Sequence, residues 1–423
     1  MTSQAHPARP LGLVGAVGIG VGSMLGAGVF VVWSVAAATA GRWLLAAVAL
    51  AAVVAVINAA STAQLAALHP VAGGAYAYGG RELGPAWGFV AGLGFVVGKI
   101  ASVAAMSLAI GAHVWPAHAP AVAVVVVACV WALNAKGVTR TAGATTAIAL
   151  VVLAGLAVVI IVSLSTRVES ASEAVTAPVT VMGVASAAAL IFFAFAGYAR
   201  LATLGEEVRD PATTIPRAVA IAVAIVVVVY LVLAAVLLRT PGVSRLVGAD
   251  APLTLAVPDT ALWRSGLAAL AAVAAGGALI ALMAGIGRTA MAMARAGDLP
   301  RVLGRTSRTD VPQVAEAAAG VAAVALAWWA DLGFALAMSS VAVLTYYAIA
   351  NASAFAARGR SKRFAIPRAV SALGIVLCVA LALSLDRTAT VTSVGVGVAA
   401  VIARAVVMRI RSRRMESRGA PRG

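Results

Sequence analysis

The sequence predicts an all-α integral membrane protein of about twelve transmembrane helices, and three observations predict it. The chain is 63% hydrophobic and only 11% charged over 423 residues, with a mean hydropathy of +1.03. A soluble domain has no interior large enough to hide that much apolar surface. Its apolar runs are too long for core strands and lack the alternation of an outer-membrane barrel. Most reach or approach the ~20 residues that a helix needs to cross ~30 Å of hydrocarbon. The basic residues, finally, gather between those runs.

In order, the runs are 12–38, 43–68, 86–113, 120–135, 143–165, 181–203, 214–238, 265–287, 314–330, 335–357, 369–385 and 390–407. The polar start, Met1 to Pro10, leads into span one without a small-residue cleavage site, so that span is expected to be retained. The chain then divides into a cytoplasmic N-terminus (1–11), a first set of five spans (12–165), a second set of five (181–357), an extra pair (369–407) and a basic tail (408–423). With the N-terminus inside, cytoplasmic segments hold 24 of the 31 Lys and Arg residues. The outer loops hold six: Arg42, Arg167, Arg239, Arg245, Arg264 and Arg387. This bias predicts a cell-membrane protein with both termini in the cytoplasm.

The formal charge of +17 would suit nucleic acid, but it sits at span ends, where topology and anionic lipid headgroups account for it. Membrane lipids are therefore an expected partner and nucleic acid is not. Cys129 and Cys378 lie far apart in apolar runs and read as buried small hydrophobes. His6, His69, His113 and His118 lie near or beyond span ends, without metal-ligand spacing. No metal and no cofactor is expected. An enzyme would need a nucleophile–base pair or a metal cluster, and an ATP-driven pump a phosphate loop of the G-x-x-x-x-G-K-[ST] kind. Neither pattern occurs.

Span one is anomalous. Six glycines fall between Gly15 and Gly28, in the run Gly15-Ala-Val-Gly-Ile-Gly-Val-Gly-Ser-Met-Leu-Gly-Ala-Gly28. Each costs a helix interior ~1 kcal/mol against alanine. A break at membrane depth must line a cavity, because lipid leaves backbone N–H and C=O groups unpaired. Span six repeats the pattern in Ile191-Phe-Phe-Ala-Phe-Ala-Gly197-Tyr198-Ala199-Arg200, five spans later. That odd offset reverses the direction of crossing, as in two inverted five-helix repeats with a midplane site between them. The bland alternative is close helix packing by small residues, as read for Gly276, Gly277, Gly285 and Gly287 in span eight. With a break, the helix resuming near Gly26-Ala27-Gly28 points free N–H groups and a positive dipole end at the cavity, which suits a carboxylate. Carbonyls near Ser23, Met24 and Ala196 suit an ammonium. A ligand with both groups is an α-amino acid.

At these residues the chain resembles the amino acid–polyamine–organocation superfamily, with its LeuT-like fold of two inverted five-helix repeats. Gly22-Ser-Met-Leu-Gly26-Ala-Gly28-Val-Phe30 resembles its first-span element. Phe195-Ala-Gly197-Tyr198, running into Leu204-Gly-Glu206-Glu207-Val-Arg209-Asp210-Pro211 and Ile215-Pro216-Arg217, resembles the sixth span and its exit. Pro70-Val-Ala-Gly73-Gly74-Ala-Tyr76 with Glu82-Leu-Gly84-Pro85, and Gly287-Arg288-Thr289 through Pro300, resemble the loops after spans two and eight. The resemblance implies a secondary amino acid transporter. It implies that the Ala27 and Gly28 amides hold the substrate carboxylate and that carbonyls near Ser23, Met24, Phe193 and Ala196 hold the amine. Gly26 and Gly197 supply the breaks, and Phe193 and Tyr198 fall where the family places gates or pocket walls. Helix packing is the alternative for both aromatics. The Glu206–Glu207 loop reads as an inner-gate and packing element, followed by a helix starting at Pro216 with Thr213 or Thr214 as its cap.

The chain departs from the family in one respect. Many proton-coupled members carry a lysine in span five, at or near Val152 here, and this span five has none. A different lysine, Lys99, lies in mid-span in Gly94-Phe-Val-Val-Gly98-Lys99-Ile-Ala-Ser102, too deep to snorkel. It is read as a coupling candidate, either a fixed charge or a proton carrier, against a structural role bound to freed carbonyls. No Asp or Glu falls in a span core, Glu82, Glu316 and Asp331 being at edges. That favours neutral over cationic amino acids by a narrow margin, since aromatic faces also hold guanidinium groups. The expectation is an amino acid permease working by alternating access, proton-coupled or exchanging, and standing alone. A membrane sensor that binds an amino acid without moving it is the alternative.

Overall fold

The computed structural model describes residues 11–26, 28–69, 71, 73–136, 142–165, 180–202, 204, 207–307, 311–357 and 364–419. Span one is two helices, α1 (Leu13–Met24) and α2 (Gly28–Ala40). After the one-turn 3₁₀ segment Gly41–Trp43 comes α3 (Leu44–Leu68), then a short α4 (Gly74–Glu82) and the long α5 (Pro85–Val114). Next are α6 (Ala119–Ala135) and α7 (Ala142–Ser165). Span six is α8 (Val181–Phe195), a 3₁₀ turn Ala196–Tyr198 and the stub α9 (Ala199–Ala202). The chain continues through α10 (Pro211–Arg239), a short α11 (Gly242–Leu246), α12 (Ala261–Arg295), α13 (Gln313–Trp329), α14 (Leu332–Ala356), α15 (Arg368–Ser384) and α16 (Arg387–Gly419).

Among the described residues, nine helical stretches are long and apolar enough to cross a membrane, and three shorter apolar helices accompany them. One of the nine, Gly28–Leu68, joins α2 to α3 through the 3₁₀ turn. Its 41 residues exceed by about twofold the ~20 that one crossing requires. The protein is an all-α, multi-pass membrane protein.

Burial sorts the helices into a centre and a rim. In α14 and α5, 72% and 67% of the apolar window is buried against other helices, whereas in α16 none is. The exposed valines Val391, Val394 and Val398 and Ile402 therefore give α16 an apolar outer face, as a lipid-facing helix requires. α1 packs on α7 and α10, while α8 packs on α14 and α3. The long α5 lies against α14, α12 and α13; α12 in turn touches α7 and α6. Ser102 on α5 and Ser339 on α14 share a 2.8 Å hydrogen bond in the buried interface.

Most span ends fall within a few residues of the apolar runs, but α12 runs eight residues past its run to Arg295 and α16 twelve past its run to Gly419, and two further readings are corrected. The helix after the Glu207 loop starts at Pro211, and Pro216 lies inside it. Pro211 takes the first helical position, where its missing N–H costs nothing. Thr213 and Thr214 turn their hydroxyls back to Asp210 and Arg209. Cys378 is buried, but Cys129 is exposed, because α6 sits at the rim with only 17% of its window buried. The edge acids are all engaged or enclosed. Glu82 meets His69 at 2.6 Å, Asp331 caps α14 by accepting from the Phe334 N–H at 2.7 Å, and Glu316 is buried against Gly287.

Candidate functional site

The two interrupted helices meet at their breaks. A Cβ on Gly28 would come within 2.9 Å of the Ala194 Cβ, and one on Gly197 would overlap the Ser23 carbonyl. Residue 28 thus faces residue 194 and residue 23 faces residue 197, so the two spans run antiparallel. Glycine at 28 and 197 is the condition for this approach, since any larger side chain would push the helices apart. Gly26 serves a third contact: a Cβ there would be 2.7 Å from the Ala278 Cβ on α12.

Loose backbone groups at the breaks have different fates. The Met24 carbonyl accepts from the Tyr230 hydroxyl of α10 at 2.8 Å. The Ala196 carbonyl accepts twice, from Lys99 Nζ at 3.4 Å and from the Tyr347 hydroxyl of α14 at 3.3 Å. The Gly26 and Gly28 amides, in contrast, have no hydrogen-bond partner among the described residues. Gly28 opens the 13-residue α2; the positive end of that helix dipole therefore points at the junction.

Beside the junction lies a cavity of about 430 Å³, within the size range of small-molecule sites. It is lined by Ser23, Met24, Gly26, Gly28, Phe193, Ala196, Gly197 and Lys99. These are eight of the residues singled out in the sequence. Ala27 lies outside the described residues. Tyr198 is not part of the lining; it is buried behind it, its ring 5.1 Å from that of Tyr347. Val152 is buried in α7 and is also absent from the lining. Lys99 sits at mid-helix of the 30-residue α5, with 7% of its surface exposed.

Sequence reading missed three parts of the site. One is the apolar wall of Phe95, Met106, Ile148 and Leu282. Another is a small-residue stripe on α12, Gly277, Ala278, Ala281 and Gly285, which creates the space. Their spacing puts them on one helical face, but alanines all round α12 hide that pattern. The third is the pair of tyrosines capping the carbonyls. A lone Tyr230 in a run of valines and leucines was the available signal, since a buried Tyr hydroxyl needs a partner.

From the junction the cavity extends to a mouth formed by Tyr76, Arg200, Glu207 and Arg288. Arg288 Nη1 lies 3.8 Å from Glu207 Oε1, both side chains half-exposed. Tyr76 donates to Asp298 Oδ2 at 3.0 Å, and Arg404 of α16 binds Asp298 Oδ1 at 2.7 Å while stacking over the Phe89 ring. Burial first, and the Asp298 charge second, push the Tyr76 hydroxyl up to about 12. It therefore keeps its proton and its donor role across the physiological range.

Residues 15–407 match the family model described as amino acid permease. The chain is 47% identical over 378 residues to an uncharacterised transporter of Mycobacterium tuberculosis, covering 88% of this chain and 85% of the relative. It is 25% identical over 324 residues to a branched-chain amino acid permease of Bacillus subtilis, with 70% and 69% covered. To cationic amino acid transporter 4 of Arabidopsis thaliana it is 29% identical over 372 residues, covering 80% of this chain and 61% of that protein. The meeting of two broken helices at a membrane-embedded cavity thus has its family: the chain belongs to the amino acid permeases of the amino acid–polyamine–organocation superfamily.

Proposed function

We propose that the chain is a secondary amino acid transporter working by alternating access, with its substrate held between the breaks of spans one and six. One observation carries this reading: two antiparallel broken helices meet at a cavity lined by Gly26 and Gly28, whose amides have no partner among the described residues. The free N–H groups of Gly26 and Gly28 would take the substrate carboxylate. The Ser23 carbonyl and the remaining lone pairs of Met24 and Phe193, which already accept from Tyr230 and the Ala196 N–H, would face the amine, and Phe193 would wall the side chain.

Two inverted five-helix repeats within twelve spans account for the packing. Numbering spans from α1/α2 as one and α8/α9 as six, a shift of five turns several of the main contacts into others that are present. Span one on five (α1 on α7) corresponds to six on ten (α8 on α14). One on seven (α1 on α10) corresponds to six on two (α8 on α3). Three on ten (α5 on α14) corresponds to eight on five (α12 on α7). Such pairing supports repeats spanning 12–165 and 181–357, with 369–407 added. With the Arg-rich ends in the cytoplasm of a cell membrane, the mouth at Tyr76, Arg200 and Arg288 opens inward.

Uptake of labelled amino acids into proteoliposomes of the purified chain, with and without a proton gradient or internal amino acid, tests the reading. Saturable uptake is expected. Dependence on the gradient would mark symport and dependence on internal substrate would mark exchange. Binding without uptake under every condition would replace transport with sensing.

A further inference from the structure

Among the described residues that line the cavity, Lys99 is the one whose charge meets no opposite charge. Its hydrogen bond goes to a neutral carbonyl, that of Ala196, and it makes no ion pair among the described residues. An ammonium has three donors, so two remain without a described partner. A buried charge left in this condition is costly until an opposite charge arrives. The cavity around it offers none: Phe95, Met106, Ile148, Phe193 and Leu282 are apolar. Farther out, Arg200 and Arg288 face a single described carboxylate, Glu207. Lys99 and Tyr347 also occupy the Ala196 carbonyl, an acceptor that a second ammonium would need.

We propose that Lys99 is the specificity-determining residue of the cavity: a fixed cation that pairs with the carboxylate of an incoming amino acid and rejects cationic side chains. The substrates are then α-amino acids with uncharged, apolar side chains. This inference rests on the transport reading above and deepens it. Named relatives include a branched-chain permease and cationic transporters, and on this inference the charge of this cavity places the chain with the former. The substrate's α-carboxylate answers the Lys99 ammonium, and its own α-ammonium turns to the Ser23 and Met24 carbonyls. A lysine or arginine substrate adds a further cation with no carboxylate to meet it. Two like charges ~8 Å apart at an effective dielectric of ~20 discriminate by about 30-fold.

The test is uptake of labelled L-leucine, L-alanine, L-glutamate, L-lysine and L-arginine into proteoliposomes of the full chain, repeated for Lys99→Met and Lys99→Arg. Expected is saturable uptake of leucine or alanine by the wild type, with lysine and arginine half-saturating at concentrations about 30-fold higher. Lys99→Met should bring the cationic substrates within about threefold of leucine, while Lys99→Arg should keep the discrimination. Wild-type uptake of lysine or arginine equal to that of leucine would overturn the inference, and so would a preference for glutamate. A gap that survives in correctly folded Lys99→Met would also overturn it. Absence of uptake for every amino acid would instead sink the transport reading on which it stands.

Discussion

The two broken helices treat their backbone ends in opposite ways. At the α1–α2 break the donors are open, the Gly26 and Gly28 amides having no described partner, while the nearby Met24 acceptor is taken by Tyr230. At the 3₁₀ turn after α8 the acceptor is fully occupied, with Ala196 bonded to both Lys99 and Tyr347. Side chains are thus assigned to the acceptors of both breaks and withheld from the donors of one. On the proposed reading, this arrangement offers donors to an anionic group at the first break. On that reading span one is the receptive half of the junction and span six the braced half.

The contrast can be broken most forcefully at Gly197. A leucine there would overlap the Ser23 carbonyl and separate the halves. We expect Gly197→Leu to cut uptake at least ~100-fold and to destabilise the detergent-solubilised protein by ~1–3 kcal/mol, read by thermal unfolding. Gly28→Val acts on the receptive half alone, through Ala194 and Phe193. Substrate affinity should fall ~10-fold or more with a smaller change in unfolding temperature; equal effects on both readouts would erase the distinction between the halves.

Tyr230→Phe and Tyr347→Phe compare the two caps. The Met24 carbonyl loses a 2.8 Å bond in the first, whereas Ala196 keeps Lys99 in the second. Tyr230→Phe should therefore cost ~1 kcal/mol and Tyr347→Phe less, measured side by side in denaturation of the purified variants. The smallest effect belongs to the mouth. Arg288→Gln removes an ion pair that is 3.8 Å long and half-exposed, so stability should change by under ~1 kcal/mol and salt should mask it.

Much of this architecture is legible in the sequence, because lipid imposes a simple rule on every crossing segment. The Gly26-Ala27-Gly28 run announces its own interruption, and Gly197 among Phe192, Phe193 and Phe195 announces the other. What the sequence conceals is which residues from distant spans arrive at those breaks. Lys99 stands out as a charge at membrane depth, yet its partner, the Ala196 carbonyl, is a backbone atom contributed 97 positions away. Tyr198 reads as a wall residue by its position, but the 3₁₀ turn of Ala196–Tyr198 directs it toward Tyr347. Pro216 reads as a helix start because Ile-Pro follows two threonines. Pro211, five residues earlier, already holds the first helical position.

The alanines and glycines of α12 set the dimensions of the chamber. Gly277, Ala278, Ala281 and Gly285 carry at most one methyl each. Apart from Ala278→Gly and Ala281→Gly, which remove one methyl each, point substitution along that stripe adds atoms, so the selectable direction is mainly toward smaller ligands. A descendant that accepts bulkier ones would have to trim Phe193, Met106 or Leu282 on the facing walls instead. One wall of the chamber works as a ratchet and the others as the adjustable jaw.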